Sequence, residues 1–258
     1  MARIFSIFNA KGGVGKSTSA QNLSVFLSAF GKKVLLVDID SQANVTSGMG
    51  LNPRKIEKGV YDVLIRKMPA EDAVHKTGVL NVDLLPATSA LAGAAIELVD
   101  IKNREYKLKE ALEPLRRKYD FMVIDSPPSL GLLSINALTA SQKTIIPVQC
   151  EYYALEGLAD VFRTIQLINA NLKTRIALSG ALLTMYDRKS RLHRAVQKEI
   201  RRKFPGHVFD AVIPRNISLA EAPSFGKSIL HYDPYSHGAK AYRRLAEEIL
   251  KMEGLRKV

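Results

Sequence analysis

Asn9-Ala10-Lys11-Gly12-Gly13-Val14-Gly15-Lys16-Ser17-Thr18 follows an apolar run (Ile4, Phe5, Ile7, Phe8) and precedes apolar residues at helical spacing (Ala20, Leu23, Phe26, Leu27). The order is strand, glycine loop, helix. Gly12, Gly13 and Gly15 let the backbone bend so that successive N–H groups converge on phosphate oxygens at a helix N-terminus. Lys16 is then placed to reach the β- and γ-phosphates of a nucleoside triphosphate, and the Ser17 hydroxyl to ligate Mg²⁺. Thr18 is placed for the α-phosphate. The ordinary motif Gly-x-x-x-x-Gly-Lys-Ser/Thr has a glycine where this chain has Ala10, followed by Lys11, so the loop is a deviant P-loop.

Lys11 is the informative departure, because a second lysine at the head of the loop is unnecessary for one chain to hold ATP. Lys-Gly-Gly-Val-Gly-Lys-Ser-Thr resembles the loop of the ParA/MinD family of P-loop ATPases. The resemblance implies that Lys11 reaches across a sandwich homodimer to the partner's nucleotide, which makes ATP a dimerisation ligand. It also implies that Lys11, Gly12, Gly13, Val14, Gly15, Lys16, Ser17 and Thr18 bind nucleotide, with Lys11 and Lys16 taking part in the chemistry.

At 258 residues the chain is long enough for one large α/β domain, 1–258, that buries about three quarters of its unfolded surface. Lys and Arg outnumber Asp and Glu by 38 to 25, a formal charge of +13, and +8 of that excess falls within residues 180–258. A polyanionic partner bound toward the C-terminal third is the expectation. The single cysteine, Cys150, excludes a disulfide framework and a cysteine-built metal site, and its neighbours Pro147, Val148 and Gln149 suit a small buried residue. Met1 is followed almost at once by the first strand, leaving no room for a signal peptide. No apolar run approaches the roughly 20 residues of a membrane span. A cytoplasmic protein is expected.

Continuous apolar runs at 33–38, 82–86, 121–125, 144–148 and 176–183 suit a parallel sheet covered on both faces. They alternate with segments of helical spacing at 105–118, 129–140, 154–171, 189–203 and 238–252. The fold class is therefore α/β: a doubly wound, mostly parallel sheet with helices on both faces. The segment 48–80, with Pro53, Gly59 and Pro69, is the least regular and is expected to form short helices on the sheet edge.

Asp38 and Asp40 close the second strand, and the C-terminal strand ends of a parallel sheet face the ligand crevice. Alternation along a strand would put both carboxylates on one face. The resemblance gives Asp40 the role of positioning the attacking water and leaves Asp38 one step removed from Mg²⁺. An aspartate that merely caps the next helix is the open alternative, more so for Asp38. Asp125 ends a hydrophobic run before Ser126-Pro127-Pro128-Ser129, the form of a Walker B carboxylate, so Ser17, Asp40 and Asp125 are the candidate Mg²⁺ ligands. Prolines after Asp125 suit a loop that senses the γ-phosphate. The five histidines lack metal-ligand spacing and carry no expected chemistry.

Downstream, Val212-Ile213-Pro214-Arg215-Asn216 and Ala222-Pro223-Ser224-Phe225-Gly226-Lys227 resemble the chromosome-partitioning branch of the family. By that resemblance Pro214 and Asn216 contact the adenine; a plain surface turn is the alternative. Arg191, Arg194, Lys198 and Arg201 recur on one side of a helix whose other side carries Leu192, Val196 and Ile200, with Glu199 alone to offset the charge. In relatives, Arg188 and Arg215 match arginines implicated in non-specific DNA binding. Arg188, Arg191, Arg194 and Arg215 are therefore the candidate DNA contacts, aimed at phosphate rather than base edges.

The resemblance as a whole, from Lys11 to Lys227, is to ParA/Soj-type partitioning ATPases. It implies a slow ATPase whose ATP–Mg²⁺ dimer coats the nucleoid until a ParB-type centromere-binding protein stimulates hydrolysis. The rival is a MinD-like ATPase cycling on a membrane, which needs a terminal amphipathic helix. Tyr242, Leu245, Ile249 and Leu250 read instead as a core-packed helix, and Leu255 with Val258 offers too little apolar area for an anchor. Two departures stand out. Ser17 replaces the common threonine, and Ser41-Gln42-Ala43-Asn44 replaces the usual Pro-Gln-Gly-Asn, which puts the stiffness of that loop and the turnover in doubt.

Overall fold

The apolar runs become one seven-stranded sheet in the order β3-β4-β2-β5-β1-β6-β7. The strands are β1 (Arg3–Ile7), β2 (Val34–Asp38), β3 (His75–Lys76), β4 (Val82–Leu85), β5 (Phe121–Asp125), β6 (Lys143–Gln149) and β7 (Ala177–Thr184). The computed structural model describes residues 1–172 and 174–255. Every pairing is parallel except the two-residue edge strand β3 against β4. The helices are α1 (Lys16–Ala29), α2 (Asn44–Gly48), α3 (Val60–Leu64), α4 (Leu91–Glu97), α5 (Lys107–Leu112), α6 (Leu132–Ala140), α7 (Ala154–Leu172), α8 (Arg191–Lys203), α9 (Ile217–Glu221), α10 (Ile229–Tyr232) and α11 (His237–Met252).

Strand alternation sorts the core into layers. Phe5, Ile7, Val34, Leu36, Phe121 and Val123 face α1 and α11, whereas Ile4, Leu35, Val37, Met122 and Ile124 face the α3–α6 side. Ile146, Val148, Ala181 and Leu183 continue that second face under α7 and α8. Both faces are covered, as the continuous apolar runs require. Tyr242, Leu245, Ile249 and Leu250 of α11 are buried, and the Tyr242 hydroxyl meets Ser19 of α1 at 3.0 Å. Leu255 packs on the same cluster; Val258 lies outside the described residues. Among the described residues no helix is long and apolar enough to cross a membrane.

Three details differ from the sequence reading. The segment 105–118 is no single helix: α5 is flanked by 3₁₀ turns at Arg104–Tyr106 and Glu113–Arg117, with Pro114 ending the α-helical hydrogen bonding. Asp40 lies beyond the end of β2, so strand alternation does not orient it. The helix α4 had no apolar signature strong enough to find, since only Leu91 and Ala94 of it are buried.

Two loops that meet near the crevice cross on glycine. Gly50 and Gly226 have φ of 83° and 63°, and a Cβ on Gly226 would stand 2.8 Å from the Gly50 Cα. Left-handed strain and steric overlap then add, where Gly31, at φ 76° with open space around it, suffers strain alone. Gly226→Ala should lower stability by about 2–4 kcal/mol and Gly31→Ala by about 1–2, read as urea midpoints at constant slope.

Candidate functional site

The glycine loop joins β1 to α1 with Gly15 at φ 88°, and no side chain caps the α1 N-terminus. Its first N–H groups are therefore without intrahelical partners, which is the geometry that favours an anion. The loop is braced from outside: Thr184 Oγ1 donates to the Val14 carbonyl at 2.9 Å, and Gln149 Nε2 to the Gly13 carbonyl at 3.0 Å. The Lys11 amide donates to Asn9 Oδ1, whose own Nδ2 donates to the Pro147 carbonyl. Lys16 is 6% exposed, and its ammonium donates to the Lys11 carbonyl at 2.9 Å across the mouth of the loop. Burial lowers its pKa, while Asp125 and Asp40 pull the other way.

Gly12, Gly13, Gly15, Lys16, Ser17 and Thr18 line a cavity of about 490 Å³, completed by Gln21, Asp40, Asn44, Ser47, Gly48, Pro128, Met185 and Pro223. That volume suits a nucleotide. A larger hollow of about 800 Å³ opens beside β4, but Lys76 and Lys118 there are already paired with Asp83 and Glu71. Pro214 and Asn216 are not among the residues lining the phosphate cavity. Asn216 Oδ1 accepts the Leu219 N–H and caps α9, while Pro214 bridges to Tyr186, next to Met185.

Asp38 and Asp125 sit side by side in register across β2 and β5, both fully buried. Asp38 is satisfied: Oδ2 accepts from the Thr46 N–H at 2.8 Å and hydroxyl at 2.7 Å, and Oδ1 from the Asp40 N–H at 3.2 Å. It anchors the first turn of α2. Burial pushes its pKa up to about 6. Neither oxygen of Asp125 has a hydrogen-bond partner. Burial, then the charge of Asp38, raises its pKa well above the usual carboxylate range, opposed by Ser17 and Lys16.

An orphaned buried carboxylate beside a hydroxyl and a phosphate cradle fits Mg²⁺. Among the described residues no three of His, Cys, Asp and Glu form a metal-holding group. Mg²⁺ held by one or two protein oxygens together with phosphates and waters is what such a site accommodates. Asp40, 5% exposed, lines the cavity and accepts the Gln42 N–H at 3.0 Å. Ala43, where the family pattern has glycine, is held at φ 51°, a conformation that costs an L-residue about 1–2 kcal/mol.

Lys11 points outward and pairs with Glu151 Oε2 of its own chain at 2.9 Å, both side chains about half exposed. The basic residues gather beyond β7. The Arg215 N–H donates to the carbonyl of Tyr186, two residues before Arg188, both arginines being exposed, and Arg194 Nη1 donates to the Arg188 carbonyl at 2.9 Å. Arg191 and Lys198 are exposed on α8. Arg201 is spent on the Val208 and Phe209 carbonyls, and Arg202 and Lys203 pair with Glu199. The apolar side of α8 is thinner than its spacing suggests, since Leu192 is 48% exposed and Ile200 alone is fully buried. Sequence reasoning missed Thr46, Gln149, Glu151, Thr184 and Met185. They carry no motif and act through bonds between distant segments.

A raised carboxyl pKa binds protons in the folded state that the unfolded chain has released, so stability falls as pH rises from about 4 through the folded-state value. Nucleotide-free Asp125→Asn should exceed wild type by about 1–3 kcal/mol at about pH 8, with the gap closing toward about pH 5. ATP–Mg²⁺ should raise the melting temperature of wild type and much less that of the variant, read by calorimetry across pH.

Residues 2–178 match the family model described as AAA domain. The chain is 51% identical over 249 residues to the sporulation initiation inhibitor protein Soj of Bacillus subtilis, covering 96% of this chain and 98% of that protein. It is 44% identical over 253 residues to the chromosome partitioning protein ParA of Myxococcus xanthus, covering 98% and 89%. Cobyrinic acid a,c-diamide synthase of Mycobacterium smegmatis, solved with a bound ATP analogue and magnesium, has a TM-score of 0.88 at 35% identity, over 98% of this chain and 96% of that one. With a deviant P-loop on a doubly wound sheet and full-length kinship to Soj and ParA, the chain belongs to the ParA/Soj family of chromosome-partitioning ATPases.

Proposed function

We propose that this chain is a DNA-segregation ATPase: with ATP and Mg²⁺ it forms a homodimer that holds duplex DNA through phosphate contacts on the nucleoid, and hydrolysis stimulated by a ParB-type centromere-binding protein releases it. The observation that carries this reading is the joining of the phosphate cavity to a cluster of exposed arginines. Met185 lines the cavity, Tyr186 follows it and binds the Arg215 segment, and Arg188 comes two residues later.

Phosphoryl transfer asks a protein mainly for positioning and charge neutralisation. The uncapped α1 amides and Lys16 hold the phosphates, Lys16 exchanging the Lys11 carbonyl for phosphate oxygen. Ser17 and Asp125, with Asp40 in the same cavity lining, would hold Mg²⁺, which would supply charge neutralisation to the phosphates. Asp40 orients the attacking water, and Thr18 meets the α-phosphate. Pro214 and Asn216 flank the base from the loop that begins beside Met185. Lys11 leaves Glu151 for the partner's nucleotide. Each protomer offers half of the Arg188, Arg191, Arg194 and Arg215 surface, so pairing two copies raises DNA affinity through effective concentration. The apolar face of α11 is buried in the core, which favours the partitioning reading over the membrane-cycling one.

Arg188→Glu combined with Arg215→Glu should leave ATP-dependent dimers intact and abolish retention of random duplex; unchanged retention would remove this surface from the DNA site. A dimer that neutralises about six phosphates should lose about a thousandfold in affinity between about 50 and 200 mM salt. Asp40→Ala should accumulate as an ATP-bound dimer that stays on DNA, with single-turnover hydrolysis as the readout.

A further inference from the structure

We propose that Thr46 positions Asp40 for hydrolysis by clamping the far end of a turn that is strained at Ala43. The proposal rests on the role given to Asp40 above and assigns a residue that supports it from outside the cavity.

Residues 40–46 form a closed turn with both ends tied to one carboxylate. Asp38 Oδ1 holds the Asp40 N–H, and Asp38 Oδ2 holds both the N–H and the hydroxyl of Thr46. The same hydroxyl oxygen accepts the Ala87 N–H at 3.0 Å, just beyond β4, so the turn is registered to two strands at once. Thr46 is fully buried and has no exposed route to a nucleotide. Between these anchors the Ala43 N–H donates to the Asp40 carbonyl at 2.9 Å, and the Ala43 carbonyl accepts from the Ser47 N–H at 3.0 Å. Ala43 nevertheless sits at φ 51°. An alanine released from that conformation returns to the right-handed or extended region, and the turn that carries Asp40 moves with it. The hydroxyl of Thr46 adds a second bond to Asp38 beside that of its backbone N–H, and it also ties the far end of the turn to Ala87 beyond β4.

Strain and clamp therefore form a matched pair, and a matched pair makes a specific claim about combinations of variants. Thr46→Val keeps the shape and the backbone N–H but loses both hydroxyl bonds. It should lower kcat for ATP by about tenfold to a hundredfold, with KM changed by less than about twofold, because the phosphates are held by the loop at Lys16 rather than by this turn. Thr46→Ser should keep most of the activity. Ala43→Gly removes the strain, so Ala43→Gly with Thr46→Val should recover most of the kcat that Thr46→Val loses.

Steady-state and single-turnover kinetics on the full chain, with melting temperatures alongside, decide the matter. Wild-type kcat in a less stable Thr46→Val would reduce Thr46 to a structural residue and overturn the proposal, as would a double variant no faster than Thr46→Val. Should Thr46→Val fail to fold, the double variant is expected to fold and hydrolyse ATP, and its failure to do so would also overturn it. Asp40→Ala run in parallel separates the two readings. Normal hydrolysis by Asp40→Ala rejects the role of Asp40 itself, whereas an inactive Asp40→Ala beside a fully active Thr46→Val rejects only Thr46.

Discussion

Burial of Asp125 without a partner is the constraint on which the site depends. A carboxylate at the C-terminal end of a central strand, with neither oxygen hydrogen-bonded, is costly unless it is protonated or meets a cation. The strand order creates the situation: β5 lies between β1 and β2, so its last residue falls beneath the glycine loop that leaves β1 and beside the last residue of β2. Asp38 offsets part of the same cost by capturing the first turn of α2. One carboxylate of the pair organises the protein, and the other is left for the ligand.

The Lys11 and Lys16 contacts at the crevice are weak or exchangeable, which suits the exchange of partners proposed above. The Lys11–Glu151 pair is half exposed and worth about 0–1 kcal/mol, so little opposes the transfer of Lys11 to a triphosphate. The Lys16 ammonium rests on a backbone carbonyl of its own loop, a bond replaced without loss by a charged phosphate. Firm contacts lie one layer further out, where Gln149 and Thr184 fix the loop backbone and Gly50 crosses Gly226. The loop carrying Arg188 starts from that firm layer, which places the arginines under the geometry of the nucleotide end of the sheet.

Much of this was legible in the sequence because it is written in local patterns. The glycine loop, the apolar strands and the buried face of α11 follow from spacing alone, and buried Cys150 from its neighbours. The segment 48–80 does hold short helices, but the edge strand β3 inside it spans two polar residues and has no alternation to detect. Thr46 was invisible for a different reason: a lone threonine in a polar stretch gains its meaning from Asp38, eight residues before it, and from Ala87, 41 residues after it. Arg201 belongs to the same class, cationic by spacing yet consumed by the Val208 and Phe209 carbonyls once the chain folds back. Ala43 is the converse case, a departure seen in the sequence whose left-handed backbone only the fold discloses.

The central claim is that a triphosphate closes two copies of this chain on each other through Lys11. Light scattering on the wild type and on Lys11→Ala, each saturated with Mg²⁺ and a non-hydrolysable ATP analogue, tests it most directly. The expected result is twice the chain mass for wild type and a single-chain mass for Lys11→Ala at equal nucleotide occupancy. A wild type that remains single with its nucleotide site filled, or a Lys11→Ala variant that pairs equally well, would contradict it.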